Sequence, residues 1–256
     1  MRLLSIVTLA ALALAAPARA AVNVMASTED LADLTRQVGG DKVKVEAIAR
    51  GYQDPHFVEA KPSFILKLAK ADLLVVVGRE LEIGWLPPLI QQSRNAKVQP
   101  GAEGYLDASL TAKILEIPTG QITRAMGDVH PAGNPHYWLD PGNGRRVAKA
   151  IVDKLSKMDA ADAAYFQSRY ADFDKRLAEA EKRWDAQMAP YKGLKVVMVE
   201  PYFDLKTPNS VGQATGAAVL VMPPSVGGVK EITDYIALFD YDIKLLVAAI
   251  QETGAK

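Results

Sequence analysis

Asp72-Leu73-Leu74-Val75-Val76-Val77-Gly78 is an unbroken apolar run opened by an aspartate and closed by a glycine. Such a run leaves neither face for water, which suits a strand buried on both sides, as strands of parallel sheets are. Upstream, Val22-Asn23-Val24-Met25 reads as a short strand. Ser27-Thr28-Glu29-Asp30 reads as a helix start, with Leu31, Leu34 and Val38 on one face of the helix that follows. Gly39-Gly40 ends that helix, and Val43 to Ile48 alternates with polar residues as a second strand. Pro62-Ser63 opens another helix with Phe64, Ile65, Leu68 and Ala69 as its stripe, and beyond the deciding run a helix carrying Leu81, Trp85 and Leu89 is expected. This βαβα order predicts an α/β fold, a parallel sheet flanked by helices. Ligands of such sheets collect beyond the carboxyl ends of the strands, so the loop from Arg50 to Pro62 is expected to be a working loop.

After Asp140-Pro141 the character changes. Arg145 to Met158 is expected to be helical, with Val147, Ile151 and Leu155 on one face. Asp159 to Gln187 follows as a long polar helix with Tyr165, Phe166, Tyr170, Phe173, Leu177 and Trp184 at its apolar positions. Its spacing is too irregular for sustained heptads, so it reads as a rigid strut, ended by Pro190 and Gly193, and not as a coiled coil. Beyond it come a strand at Leu194–Val199, a helix at Thr207–Thr215, a strand at Ala217–Met222, a Pro223–Gly228 loop and a terminal helix at Ile232–Ile250. A self-sufficient sheet usually needs three or more strands, so this last part is underbuilt.

The 256 residues carry 30 Lys plus Arg against 30 Asp plus Glu, and this balance gives no field to attract nucleic acid or anionic lipid. Met1-Arg2, the apolar Leu3–Ala16 and Pro17-Ala18-Arg19-Ala20 read as a secretory signal peptide (residues 1–20) cleaved near Ala20. The apolar run is short for a membrane span, so no stable membrane insertion is expected after cleavage. Cysteine is absent, which removes thiolate metal sites, cysteine nucleophiles and a lipid-modified cysteine, and the expected product is free in the periplasm.

Chemistry concentrates on three histidines. His56 lies in Gln53-Asp54-Pro55-His56, His136 in Gly133-Asn134-Pro135-His136-Tyr137-Trp138-Leu139-Asp140-Pro141, and His130 in Gly127-Asp128-Val129-His130-Pro131. A proline before His56 and before His136 restrains the backbone that presents each imidazole, and imidazole is a good ligand for first-row metals. A lone loop histidine is more often a surface residue or part of a turn, and Asp54 and Asp140 read as turn formers before they read as partners of a metal site.

Asp54-Pro55-His56 with Pro62-Ser63, followed by Asn134-Pro135-His136-Tyr137-Trp138-Leu139-Asp140-Pro141, resembles the paired histidine motifs of zinc and manganese ABC-transporter solute-binding proteins, the cluster A-I metal-binding family. The strut helix stands where that family has its interlobe backbone helix, and Val199-Glu200-Pro201 with the Gly216-Ala217 strand resembles the late part of its second lobe. The resemblance implies two lobes of parallel sheet flanked by helices and joined by the long helix. The lobes fall at residues 21–144 and 193–256, the connecting helices at 145–192, and the C-terminal lobe is truncated. It implies that His56 and His136 are metal ligands of the first lobe, with His130 the spare imidazole and Glu59 and Asp128 possible oxygen ligands. The function implied is capture of a divalent transition metal, zinc first and manganese next, for delivery by a monomer to the membrane permease of an ABC importer, with no enzymatic step.

The chain departs from the family pattern after Leu194-Lys195-Val196-Val197, where roughly two βα units and the ligand-bearing loop within them are missing. Met222-Pro223-Pro224 stands where relatives carry a late aspartate. A shortened relative with weak or no metal binding is therefore the alternative. An exported metallohydrolase would need a base and a dense ligand cluster such as His-Glu-x-x-His, which the sequence lacks.

Overall fold

The computed structural model describes residues 20–120, 129–194 and 196–254. The signal-peptide reading of residues 1–19 and Asp128 lie outside them. Strands β1 (Val22–Ala26), β2 (Val43–Ala47), β3 (Leu73–Val76) and β4 (Tyr105–Asp107) form one sheet in the order β2-β1-β3-β4, every pairing parallel. The apolar run Asp72–Gly78 contains β3, which is paired on both sides and buried at every residue. Helix α1 (Glu29–Gly39) covers one face. On the other face lie α2 (Pro62–Leu68) and α3 (Leu86–Ser93), whose Leu68, Leu86, Leu89 and Ile90 pack against Leu74 and Val76.

Strand β4 was not foreseen: three half-buried residues at a sheet edge are too short to show a period. The helix expected to carry Leu81, Trp85 and Leu89 begins only at Leu86. Gly78, Arg79 and Glu80 are all left-handed, with φ of +78°, +52° and +68°, which no α-helix accommodates. Leu81 and Trp85 are instead buried from tight turns, their amides donating to the carbonyls of Gly78 and Glu82 at 3.1 Å each. Pro87 and Pro88 then sit in the first turn of α3, where proline removes no helical hydrogen bond.

Helix α4 (Pro141–Met158) starts before Arg145, because Asp140 caps it by accepting from the Gly142 amide at 2.8 Å and Pro141 supplies a helical φ. Helix α5 (Ala163–Met188), 26 residues and about 39 Å long, is the long helix expected over Asp159–Gln187, beginning four residues later after a 3-10 turn at Ala160–Asp162. It lies along α4, joined by the Arg145 guanidinium, which donates to both Glu181 oxygens at 3.1 and 2.8 Å and to Asp174. Its buried face, Phe166, Phe173, Leu177, Ala180 and Trp184, joins α1, α4 and β3 in one core.

The C-terminal segment holds β5 (Val197–Val199), α6 (Lys206–Thr215) and β6 (Val219–Val221), a single parallel βαβ unit. Helix α6 buries no residue. Helix α7 (Tyr235–Thr253) starts later than Ile232, at the cap where Asp234 accepts from Ile236 and Ala237 at 2.9 Å each. It packs back on the N-terminal core: Tyr235 is fully buried, and its hydroxyl lies so close to α4 that a Cβ on Gly144 would meet it at 2.3 Å. The Tyr235 hydroxyl donates to the Trp138 carbonyl.

Two acids of α1, Asp30 and Asp33, receive this segment. Asp30 accepts from the Ser225 hydroxyl and from the Val226 amide at 2.9 Å, and Asp33 accepts from the Tyr235 amide at 2.9 Å. Burial raises Asp30 to about 7 and Asp33 to about 6, from an ordinary 3.8. Trp138 Nε1 donates to the Pro224 carbonyl at 2.8 Å. Gly51 lies against the same loop so closely that a Cβ there would meet the Val226 carbonyl at 1.9 Å.

Candidate metal centre

Both Asx-Pro-His tripeptides fold into the same turn. Asp54 Oδ1 accepts from the His56 amide at 2.9 Å, and Asn134 Oδ1 accepts from the His136 amide at 2.9 Å. The short polar side chain bonding to the backbone two residues on is an Asx turn, and the intervening proline limits its freedom. The first turn is then tied to the residue that caps α3, and the second to the residue that follows β3. Trp85 Nε1 donates to the Pro55 carbonyl at 2.8 Å, and the Tyr137 hydroxyl donates to the Val77 carbonyl at 2.7 Å.

Beyond the strand ends the three histidines meet. The His56 ring lies 5.2 Å from His130 and 5.1 Å from His136, centroid to centroid. The His56 Nδ1 contacts Asp54 Oδ1 at 2.7 Å, so Asp54 holds that nitrogen as the N–H and leaves Nε2 with its lone pair. His56 Nε2 and His130 Nε2 are 3.1 Å apart, a distance at which His130 donates to His56. His136 Nε2 is buried with no hydrogen-bond partner among the described residues. Burial, reinforced by the two neighbouring histidines, lowers His136 to about 4, which keeps it a neutral imidazole at pH 7.

An unpartnered imidazole nitrogen beside two further imidazoles is a donor set suited to a borderline divalent cation such as zinc. Among the described residues, no three His, Asp or Glu side chains already hold one common point at coordinating distance.

The imidazoles open on a cavity of about 390 Å³ that Glu116, Asn134, Glu200 and Phe203 also line. Glu116 accepts from Asn134 Nδ2 at 2.8 Å and so braces the second histidine turn. Arg79, in the left-handed run after β3, donates to the Ala132 carbonyl at 3.1 Å and holds the loop between His130 and His136. Glu59 is exposed, beside Lys61 at 3.7 Å, and does not line the cavity. Asp140 caps α4 and Asp54 serves both its turn and the His56 ring. Sequence reasoning missed Glu200 as a cavity residue. Its signal is a carboxylate at the carboxyl end of a parallel strand, fixed by the proline that follows.

Fold and site together define a parallel α/β protein whose imidazoles gather beyond its strand ends. The family model described as zinc-uptake complex component A, periplasmic, matches residues 24–193, and the chain belongs to that family. The metal ABC transporter substrate-binding lipoprotein ScbA of Streptococcus cristatus is 29% identical over 182 residues, covering 70% of this chain and 55% of the relative. The manganese ABC transporter substrate-binding lipoprotein PsaA of Streptococcus anginosus is 27% identical over 164 residues, covering 63% and 50%. The chain thus spans about half the length of the curated relatives it matches. A crystal structure of ZnuA superposes with a TM-score of 0.72 at 19% identity, covering 90% of this chain and 99% of that one, which shows the shared fold. No helix among the described residues is long and apolar enough to cross a membrane.

Proposed function

We propose that this protein captures a divalent transition metal, zinc first and manganese next, and delivers it to the membrane permease of an ABC importer. The observation that carries the reading is the buried, unpartnered Nε2 of His136 beside the rings of His56 and His130, within a chain of the zinc-uptake family. In this reading the metal is cargo, His56, His130 and His136 are its ligands, and no bond of a substrate is made or broken. The chain acts as a monomer in the periplasm after cleavage near Ala20. Its lobes are residues 21–144 and 193–256, with residues 145–192 as the connecting helices.

Binding requires neutral imidazoles, so protons compete with the metal as pH falls. Zinc and manganese calorimetry on the wild type and on a His56→Ala/His136→Ala variant tests the proposal. One-to-one binding in the wild type, weakened at least about 100-fold in the variant, is expected when ligands are lost. A folded wild type that binds neither metal overturns the carrier reading and favours a shortened relative without cargo, the reading that the two-stranded C-terminal sheet also supports.

A further inference from the structure

The left-handed run Gly78–Glu80 holds back the start of α3, and the delay leaves a cleft between that helix and the edge strand β4. A cavity of about 420 Å³ lies in it, at the carboxyl ends of β3 and β4, where open parallel sheets collect ligands. Its volume falls within the roughly 300–1,000 Å³ usual for small-molecule sites. It shares no lining residue with the cavity of the histidines. One wall is apolar: Leu86, Pro87 and Ile90 belong to α3, and Ile83, in the turn before it, is 65% exposed. The other wall is acidic. Glu80, Glu82 and Asp107 stand there against one cation, Arg79, whose Nη1 is given to the Ala132 carbonyl and whose Nε is buried. Glu82 is spent on the Val77 and Gly78 amides at 2.7 and 3.0 Å, and burial lifts it to about 7. Asp107 Oδ1 accepts from the Ser109 amide and hydroxyl at 3.0 and 2.6 Å, which leaves Oδ2 for a ligand. Tyr105, two residues before Asp107 on β4, registers this negative field: burial first, then the charges of Asp107 and Glu82, raise its hydroxyl to about 12. An anion finds no cradle at the start of α3. The Leu86 amide donates to the Glu82 carbonyl at 2.9 Å, and Pro87 and Pro88 have no amide hydrogen.

We propose that this cavity is a second binding site, for a small organic ammonium whose charge meets Asp107 and Tyr105 and whose apolar body lies against Ile83, Leu86 and Ile90. The proposal goes beyond the metal-carrier reading and does not rest on it. Both walls are needed to choose the ligand. A bare metal ion would leave the apolar wall wet, and an uncharged apolar molecule would bury acceptors of the acidic wall without a donor. An anion would face three acids with only Arg79 to offset them. An ammonium on an apolar stem donates charge-assisted hydrogen bonds to Asp107 Oδ2 and covers Ile83 with the same body.

The test titrates the chain from Ala21, kept free of metal by chelator, with phenethylammonium, and with phenethyl alcohol and phenylacetate as its uncharged and anionic counterparts. Amide shifts in NMR spectra read both affinity and place. Saturable shifts at Ile83, Gln91 and Tyr105 in the millimolar range are expected for the ammonium, with the alcohol and the anion at least about 10-fold weaker. Asp107→Asn, whose side-chain oxygen still accepts from Ser109, is expected to weaken the ammonium about 10-fold and to leave the alcohol unchanged. Ile83→Ala, at an exposed position that no fold depends on, is expected to weaken ammonium and alcohol alike by a few-fold. Equal binding of ammonium and alcohol reduces the cavity to an apolar cleft and overturns the proposal, and so does a preference for phenylacetate, which would make Arg79 the deciding charge. Shifts that never appear at the cavity of the folded wild type, or a folded Asp107→Asn that binds the ammonium as the wild type does, overturn it too. Should Asp107→Asn lose its dispersed spectrum, the three ligands on the wild type and on Ile83→Ala still decide.

Discussion

In the N-terminal sheet Leu73, Leu74 and Val75 have no exposed surface, whereas in the C-terminal pair Met198 is 55% exposed and Val221 38%. Both sheets are parallel, and both are made of strand–helix–strand units. The difference is closure. Four strands covered by α1, α4 and α5 on one side and by α2 and α3 on the other hide a continuous apolar surface. The single unit has α6, which buries no residue, and only a limited approach of α7 to β6. Parallel pairing is tolerated where both faces are covered, so the second sheet owes its place to the Asp30–Ser225 and Trp138–Pro224 contacts beyond its own ladder.

That contrast breaks if comparable truncations cost the same in both sheets. Leu73→Ala, in β3, is expected to cost about 3 kcal/mol in denaturant melts, against less than about 0.5 kcal/mol for Met198→Ala in β5. Equal losses would mean that the second sheet is covered in solution. A smaller effect sharpens the role of the contacts. Gly51→Ala forces a methyl into the Val226 carbonyl and is expected to cost about 2 kcal/mol. In hydrogen exchange this variant should speed β5 and β6 and leave β1 and β3 protected. Uniform acceleration would show that the two sheets open as one unit.

The docking acids predict a pH effect. Asp30 and Asp33 bind protons more tightly folded than unfolded, so their contribution is fully present below about pH 4 and is lost as pH rises through about 6 to 7. From pH 5 to pH 8 the wild type should therefore lose on the order of 1–2 kcal/mol relative to Asp30→Asn, a few degrees in melting temperature. Parallel melting profiles of the two proteins would show that Asp30 is not buried as described. His136 works in the opposite direction, its contribution being lost as pH falls from about 6.5 to about 4. The comparison with the Asn variant removes that common part. The smallest expected effect is Arg79→Ala, about 1 kcal/mol or less for one hydrogen bond, with zinc affinity lowered a few-fold because the Ala132 loop loosens.

The βαβα order, the long helix and the two-stranded C-terminal sheet were legible because each rests on a long period, a chain of apolar residues or a proline–glycine boundary. Strand β4 and the start of α3 were not, since one is shorter than any period and the other is decided by three left-handed residues, two of which are not glycine. The sequence marked the three histidines, and the structure brings their rings together, though their ligand roles remain part of the proposal. It could not show that Glu200 shares their cavity, because that proximity depends on Asp30 meeting Ser225 across 195 positions of chain. The polar spacing of Asp30 and Asp33 on an otherwise apolar helix face was the available hint, and only tertiary contact turns it into a docking site.

The twin Asx-Pro-His turns have a consequence for protein engineering. Each tripeptide satisfies its own amide with its own side chain, so the path of the backbone that presents the imidazole is encoded within three adjacent residues, and a few bonds from outside anchor it. A cassette of that kind is portable. Grafted beyond the strand ends of an unrelated parallel sheet, with an indole or phenol placed to hold the turn, a pair of them should present two imidazoles without importing the rest of this fold.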